Sequence, residues 1–153
     1  ESLLGEVYTS EKGEELSQIF SKLVLDRVVK SPYMLGVEMF LEENYKRRSL
    51  FVASATPEVE LQEIISRRGM EGYFQNTYGS PSTKSKILKK ISHELCCSSD
   101  LVLMVGDAMA DLDGASMAGC QFIGISNEVI SPFPESTIKF DDFHQLSKHL
   151  AEY

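Results

Sequence analysis

Two aspartates four residues apart, Asp107 and Asp111, follow an apolar run from Leu101 to Val105 and a single glycine, Gly106. The pattern predicts a buried strand that delivers acids to its carboxyl end, where a helix begins. Ligands of open α/β sheets bind outside those ends, and paired carboxylates there suit a hard cation such as Mg²⁺ better than they suit a packed core. Asp107 and Asp111 are therefore the candidate metal residues. Asp111 also has a plainer reading as the cap of the helix running to Ala118, since Asp is a favoured N-cap. A calcium loop is excluded: with Gly114 as its sixth position, Met109 and Cys120 fall at the first and twelfth, where acids are required.

Two further stretches carry polar groups to helix starts. Leu50 to Ala53 predicts a short buried strand ending in Ser54-Ala55-Thr56-Pro57. A helix follows, with Thr56 as cap, Pro57 at its first position, Leu61, Ile64 and Ile65 on its buried face, and Gly69 as its stop. Backbone N–H groups and a hydroxyl at a helix N-terminus are a common cradle for phosphate, which makes Ser54 and Ala55 candidate phosphate contacts. Farther on, Thr83 caps a helix with an apolar stripe of Ile87, Leu88, Ile91 and Leu95, and Lys84 sits in its first turn. A cation there opposes the helix dipole, so Lys84 is either solvated or neutralises an anion.

The remaining elements supply the scaffold. An amphipathic helix is expected from Thr9 on, with Leu16, Ile19, Phe20, Leu23 and Val24 on one face. Ser31-Pro32 predicts a second helix start, continued by Leu35, Met39 and Phe40 toward Asn44 and closed by Lys46-Arg47-Arg48. Short strands are expected at Asn76 to Tyr78, Gln121 to Ile125 and Thr137 to Phe140. A last helix, capped by Asp141, faces Phe143, Leu146 and Leu150 inward. Strands alternating with helices imply a doubly wound, mainly parallel α/β sheet. The one expected boundary lies near Lys30-Ser31, separating a helical segment, 1–30, from an α/β core, 31–153.

Composition bounds the function. In 153 residues, 42% hydrophobic and 25% charged, there is room for one globular core. A net charge of -8 argues against nucleic-acid and anionic-membrane partners, which need clustered Lys and Arg. No apolar run approaches the roughly 20 residues of a membrane span and no signal segment is visible, so a cytoplasmic protein is expected. Three cysteines, two of them adjacent, lack metal-type spacing and read as reduced thiols. His93, His144 and His149 lie among charged residues on expected helices and read as surface groups.

In chain order, a strand ending in Ser54, a helix opening with Lys84 and a strand ending in GDxxxD resemble motifs two, three and four of the haloacid dehalogenase-like (HAD) hydrolases. These are chiefly phosphatases with an aspartate nucleophile and Mg²⁺, and the resemblance spans about 31–140. It implies that Ser54 hydrogen-bonds the phosphoryl group, that the catalytic Lys84 neutralises phosphate and nucleophile, and that Asp107 and Asp111 hold Mg²⁺. A small phosphorylated metabolite is the implied partner; oligomeric state is not indicated. The family's first motif, DxDx[TV], which carries the nucleophile, is absent from the sequence: Asp26 stands alone in LVLDRVV. The chain is thus expected to be the carboxyl-terminal part of a longer protein, inactive alone, with residues 1–30 a remnant of a helical cap. Without the first-motif strand, which the family places between those ending at Ser54 and Asp107, these two must pair directly, accept a substitute, or leave backbone groups unsatisfied. A non-catalytic binding or regulatory relic of the same fold is the alternative. A receiver domain, with its acids early and its lysine late, has the reverse order.

Overall fold

The computed structural model describes residues 10–126 and 131–151. They fall into two compact units, Glu1–Pro32 and Tyr33–Tyr153. The first contributes helix α1, Ser10–Lys30. Leu16, Ile19, Leu23 and Val24 of its apolar face are all exposed.

The second unit runs α2 (Val37–Asn44), β1 (Phe51–Pro57), α3 (Glu58–Arg67), β2 (Asn76–Ser80), α4 (Lys84–Glu94), β3 (Leu103–Gly106), α5 (Met109–Ala118), β4 (Gln121–Ile125), β5 (Lys139–Phe140) and α6 (Phe143–Ala151). The alternation and the parallel pairing are as expected. The helix start expected at Ser31-Pro32 is not there: the Ser31 hydroxyl donates back to the Arg27 carbonyl at 2.9 Å, finishing α1. Helix α2 begins instead after Gly36, whose φ of 83° needs a residue without a β-carbon. Thr56 does not cap α3; Pro57 does, with no side-chain hydrogen bond. Leu101 is 74% exposed in a 3₁₀ turn, so β3 is shorter than its apolar run. At the last helix the capping carboxylate is that of Asp142, which accepts from the Gln145 N–H at 2.9 Å, and not Asp141.

All described strand pairs are parallel, but they form two sheets, β1-β2 and β3-β4-β5. Among the described residues β1 and β3 neither pair directly nor share a substitute strand between them. Each half-sheet is nevertheless covered. Met104 of β3 packs with Leu88, Ala115 and Ala118 of α4 and α5 on one face. On the opposite face Leu103 and Val105 join Phe40 and Leu41 of α2, Ile123 and Ile125 of β4, and Leu146 of α6. This is the two-residue period of a strand buried on both sides. Helix α4 reaches the other sheet as well, through Ile87 and Ile91 against Tyr78, Phe51 and Ala53.

Tyr78 shows how tightly that contact is made. Its ring is 5% exposed, its hydroxyl donates to the Glu94 carboxylate at 2.7–2.8 Å, and the Lys90 ammonium lies 4.3 Å from its centroid. Burial, then the bond to Glu94, pushes its pKa up to about 12. The folded state therefore holds this proton more tightly than the unfolded chain, where the group titrates near 10. The associated stability is complete below about pH 10 and is lost as pH rises through about 12. In a spectrophotometric titration of the native protein one tyrosine should ionise near pH 12, and Tyr78→Phe should remove that step.

Candidate active site

The carboxyl ends of β1 and β3 and the amino ends of α4 and α5 bring the expected residues together in part. Helix α4 starts at Lys84 because the Thr83 hydroxyl caps it, accepting from the Lys86 N–H at 3.4 Å. From this start the lysine side chain runs into the interior rather than to solvent and is 18% exposed. Its ammonium donates to the Ala53 carbonyl in β1 and forms an ion pair with Asp111 at 2.9 Å. Of the two readings open from sequence, solvated or neutralising, the second describes this geometry.

Asp111 is not the cap of α5. The helix starts after Ala108, and Asp111, two residues inside it, reaches back so that Oδ2 accepts the Ala108 N–H at 3.3 Å. Its Oδ1 meets Lys84, so both carboxylate oxygens are engaged, with the side chain 7% exposed. Asp107, on the turn just after β3, is exposed and has no partner among the described residues. The two acids thus differ: Asp107 has free oxygens and Asp111 is committed to a lysine and a helix start.

In the middle of β1, where its pairing with β2 breaks register between Ala53 and Pro57, the Ser54 hydroxyl donates to the Thr56 hydroxyl at 3.0 Å and accepts the Thr56 N–H at 3.1 Å. Ser54 directly follows the Ala53 carbonyl that Lys84 holds. Ala55 is exposed beside it. Asp113 is exposed, and His93 and His144 are surface groups as expected. The three cysteines are free, and burial pushes the Cys120 thiol up, keeping it protonated.

Two features of the site carry no side-chain signal in the sequence. The Ala53 carbonyl is backbone, and nothing in a strand pattern marks it as the acceptor for a lysine. Gly106 is recognisable as a strand-end glycine, but its purpose shows only in space: a β-carbon there would lie 2.5 Å from the Asp111 carboxylate.

For a divalent cation the donors fit incompletely. Mg²⁺ takes oxygen ligands and keeps several waters, binding through one or two carboxylates and substrate phosphates. Asp107 suits that role. Among the described residues, however, no group of three or more His, Cys, Asp or Glu side chains is placed to hold a metal.

A family model for haloacid dehalogenase-like hydrolases matches residues 2–125, and the chain belongs to that family. A 5'-nucleotidase of Pseudomonas aeruginosa is 30% identical over 96 residues, which cover 59% of this chain and 43% of the relative. The chain thus spans less than half the length of that curated relative. A predicted phosphoglycolate phosphatase from Haemophilus somnus superposes with a TM-score of 0.77 at 19% identity, covering 95% of this chain and 69% of that one. A haloacid dehalogenase-like hydrolase family protein from Streptococcus pneumoniae gives 0.73 at 16%, covering 93% and 72%. A magnesium-bound protein assigned to the HAD hydrolases, from Bacillus subtilis, gives 0.76 at 14%, covering 91% and 63%. At these identities the structural likeness bears on the fold, which is the HAD-like Rossmannoid one.

The ion pair makes a stability prediction. Lys84→Met leaves the buried Asp111 carboxylate without its cation, and removing one partner of such a pair costs about 3 kcal/mol. Adding Asp111→Asn should recover part of that loss in urea unfolding, because no uncompensated charge remains. A Lys84→Met protein within about 0.5 kcal/mol of wild type would mean the pair is solvated in solution.

Proposed function

We propose that this chain carries the phosphate- and metal-binding side of a Mg²⁺-dependent phosphomonoester hydrolase, completed by a segment upstream of Glu1 that bears the DxDxT nucleophile motif. The observation that carries the reading is the Lys84 ammonium. It is held between the Ala53 carbonyl of β1 and Asp111 of α5, bridging two parallel sheets that no described strand joins. One extended strand placed between β1 and β3 would hydrogen-bond to both and bring its own carboxyl end beside Lys84, Ser54 and Asp107. The shares of the relatives' lengths that this chain spans support a longer protein in the same way.

The charges support a metal. Lys84, Asp111 and Asp107 sum to one negative charge, so by themselves they repel a phosphate dianion, and phosphoryl transfer depends on neutralising such charge. Bound Mg²⁺ would supply that neutralisation and polarise the phosphoryl oxygens. Asp107, with free oxygens, is the direct metal ligand of this chain, and Asp111 serves the site by fixing Lys84. The Ser54 hydroxyl and the Ala55 backbone position the phosphoryl group, and Lys84 holds charge against phosphate and nucleophile. A small phosphorylated metabolite is the substrate class, consistent with the names of the nucleotidase relative and the Haemophilus neighbour.

The test is hydrolysis of p-nitrophenyl phosphate by the protein encoded with its upstream region. Activity should require Mg²⁺ and vanish with EDTA. Asp107→Asn should lower kcat by on the order of 10²-fold or more without unfolding the protein, and Lys84→Ala should weaken vanadate binding. An upstream region without DxDxT, together with no turnover, would establish the non-catalytic binding module instead. Undiminished turnover by Asp107→Asn would remove Asp107 from the metal site.

A further inference from the structure

The residue that sets the direction of Lys84 lies on another helix. Gly114 sits in the middle of α5, where glycine is the poorest helix former apart from proline and where its neighbours Leu112, Ala115 and Ala118 propagate a helix better. Its backbone is not in the left-handed region, so any residue fits its conformation. The reason for glycine is therefore spatial. A β-carbon at position 114 would lie 2.5 Å from the Lys84 β-carbon, 3.4 Å from the Ser85 nitrogen and 3.5 Å from the Lys84 carbonyl carbon. The obstructed atoms belong to the base of the lysine and the first turn of α4, not to the mobile end of a side chain.

We infer that Gly114 is a positioning residue: its missing side chain is what lets the first turn of α4 close onto α5, so that the Lys84 ammonium reaches both Asp111 and the Ala53 carbonyl. Asp111 is one turn earlier on the same helix and is backed by Gly106, where an added β-carbon would meet its carboxylate at 2.5 Å. The ion pair is thus bounded on both sides by glycines, one against each partner. Adding one methyl group at 114 forces the start of α4 away from α5, and the ammonium, anchored at that start, withdraws from the carboxylate. The consequence for turnover rests on the hydrolase reading above; the placement of Lys84 does not.

The experiment is amine labelling of the intact protein with acetic anhydride, read residue by residue by mass spectrometry, comparing wild type, Gly114→Ala and Gly72→Ala. Position 72 is the control, since a β-carbon there meets nothing within 4 Å. In wild type Lys84 should label several-fold more slowly than Lys86, Lys89 and Lys90 of the same helix. Gly114→Ala should bring Lys84 toward their rates while leaving those three and the far-ultraviolet circular dichroism unchanged, and Gly72→Ala should change nothing. A folded Gly114→Ala protein in which Lys84 stays protected overturns the inference. Should Gly114→Ala not fold, the double variant Gly114→Ala/Lys84→Gly, which removes the obstructed β-carbon, is expected to be as stable in urea as Lys84→Gly alone; a double variant clearly less stable than Lys84→Gly overturns the inference as well. In a protein that hydrolyses p-nitrophenyl phosphate, Gly114→Ala should lower kcat more than it raises KM. Loss of Lys84 protection with undiminished turnover would leave the placement standing and remove Lys84 from the chemistry.

Discussion

Helix α4 is the piece on which the arrangement of this chain's core turns. Among the described residues the two sheets share no strand, so something else has to hold them together, and α4 packs against both. Leu88 lies with Met104 of β3, while Ile87 and Ile91 lie with Tyr78 and Phe51 of the other sheet. Three adjacent positions of one helix stripe thus serve two half-sheets. The opposite face repeats the device less directly, as Leu50, Met70 and Phe74, which flank β1 and β2, pack beside Ile123 and Leu146. The sheets are joined by their coverings.

This explains why the polar tie falls where it does. Helix α4 packs against both sheets, and its first residue is Lys84. A buried ammonium there has to be paired, and its acceptors are the Ala53 carbonyl within β1 and the Asp111 carboxylate beyond the end of β3. Donating to both, the lysine links β1 to the first turn of α5. Stability and site geometry consequently depend on the same side chain.

Much of this was legible in the sequence wherever a side chain announced its own role. Thr83 caps α4 as its type suggests, Leu61, Ile64 and Ile65 are the buried stripe of α3, and Gly119 closes α5 in the left-handed conformation that only glycine adopts easily. Sequence pattern and structure part where one residue type serves two ends. Ser31 is as good at closing α1 through a back-bond to Arg27 as it is at opening a helix, and no local pattern separates the two. Asp141 and Asp142 are adjacent and equivalent as caps until the Gln145 N–H selects one. Leu101 continues an apolar run but lies past the point where the strand is covered, so it is exposed.

The difference between Asp107 and Asp111 has the same origin. From the sequence they are a matched pair, four residues apart and equally acidic. A helix begins between them, however, and the two sides of a helix start are unlike. Asp111 lies inside the first turn, where the free N–H groups face back toward the strand, and it folds onto Ala108. Asp107 lies on the turn before that helix, where no free helix donor points at it. Spacing alone cannot assign the two roles, because the spacing is measured along the chain while the roles are decided by which carboxylate the helix start captures. A carboxylate so captured can hold a lysine in place, and the one left free is available to a ligand from outside.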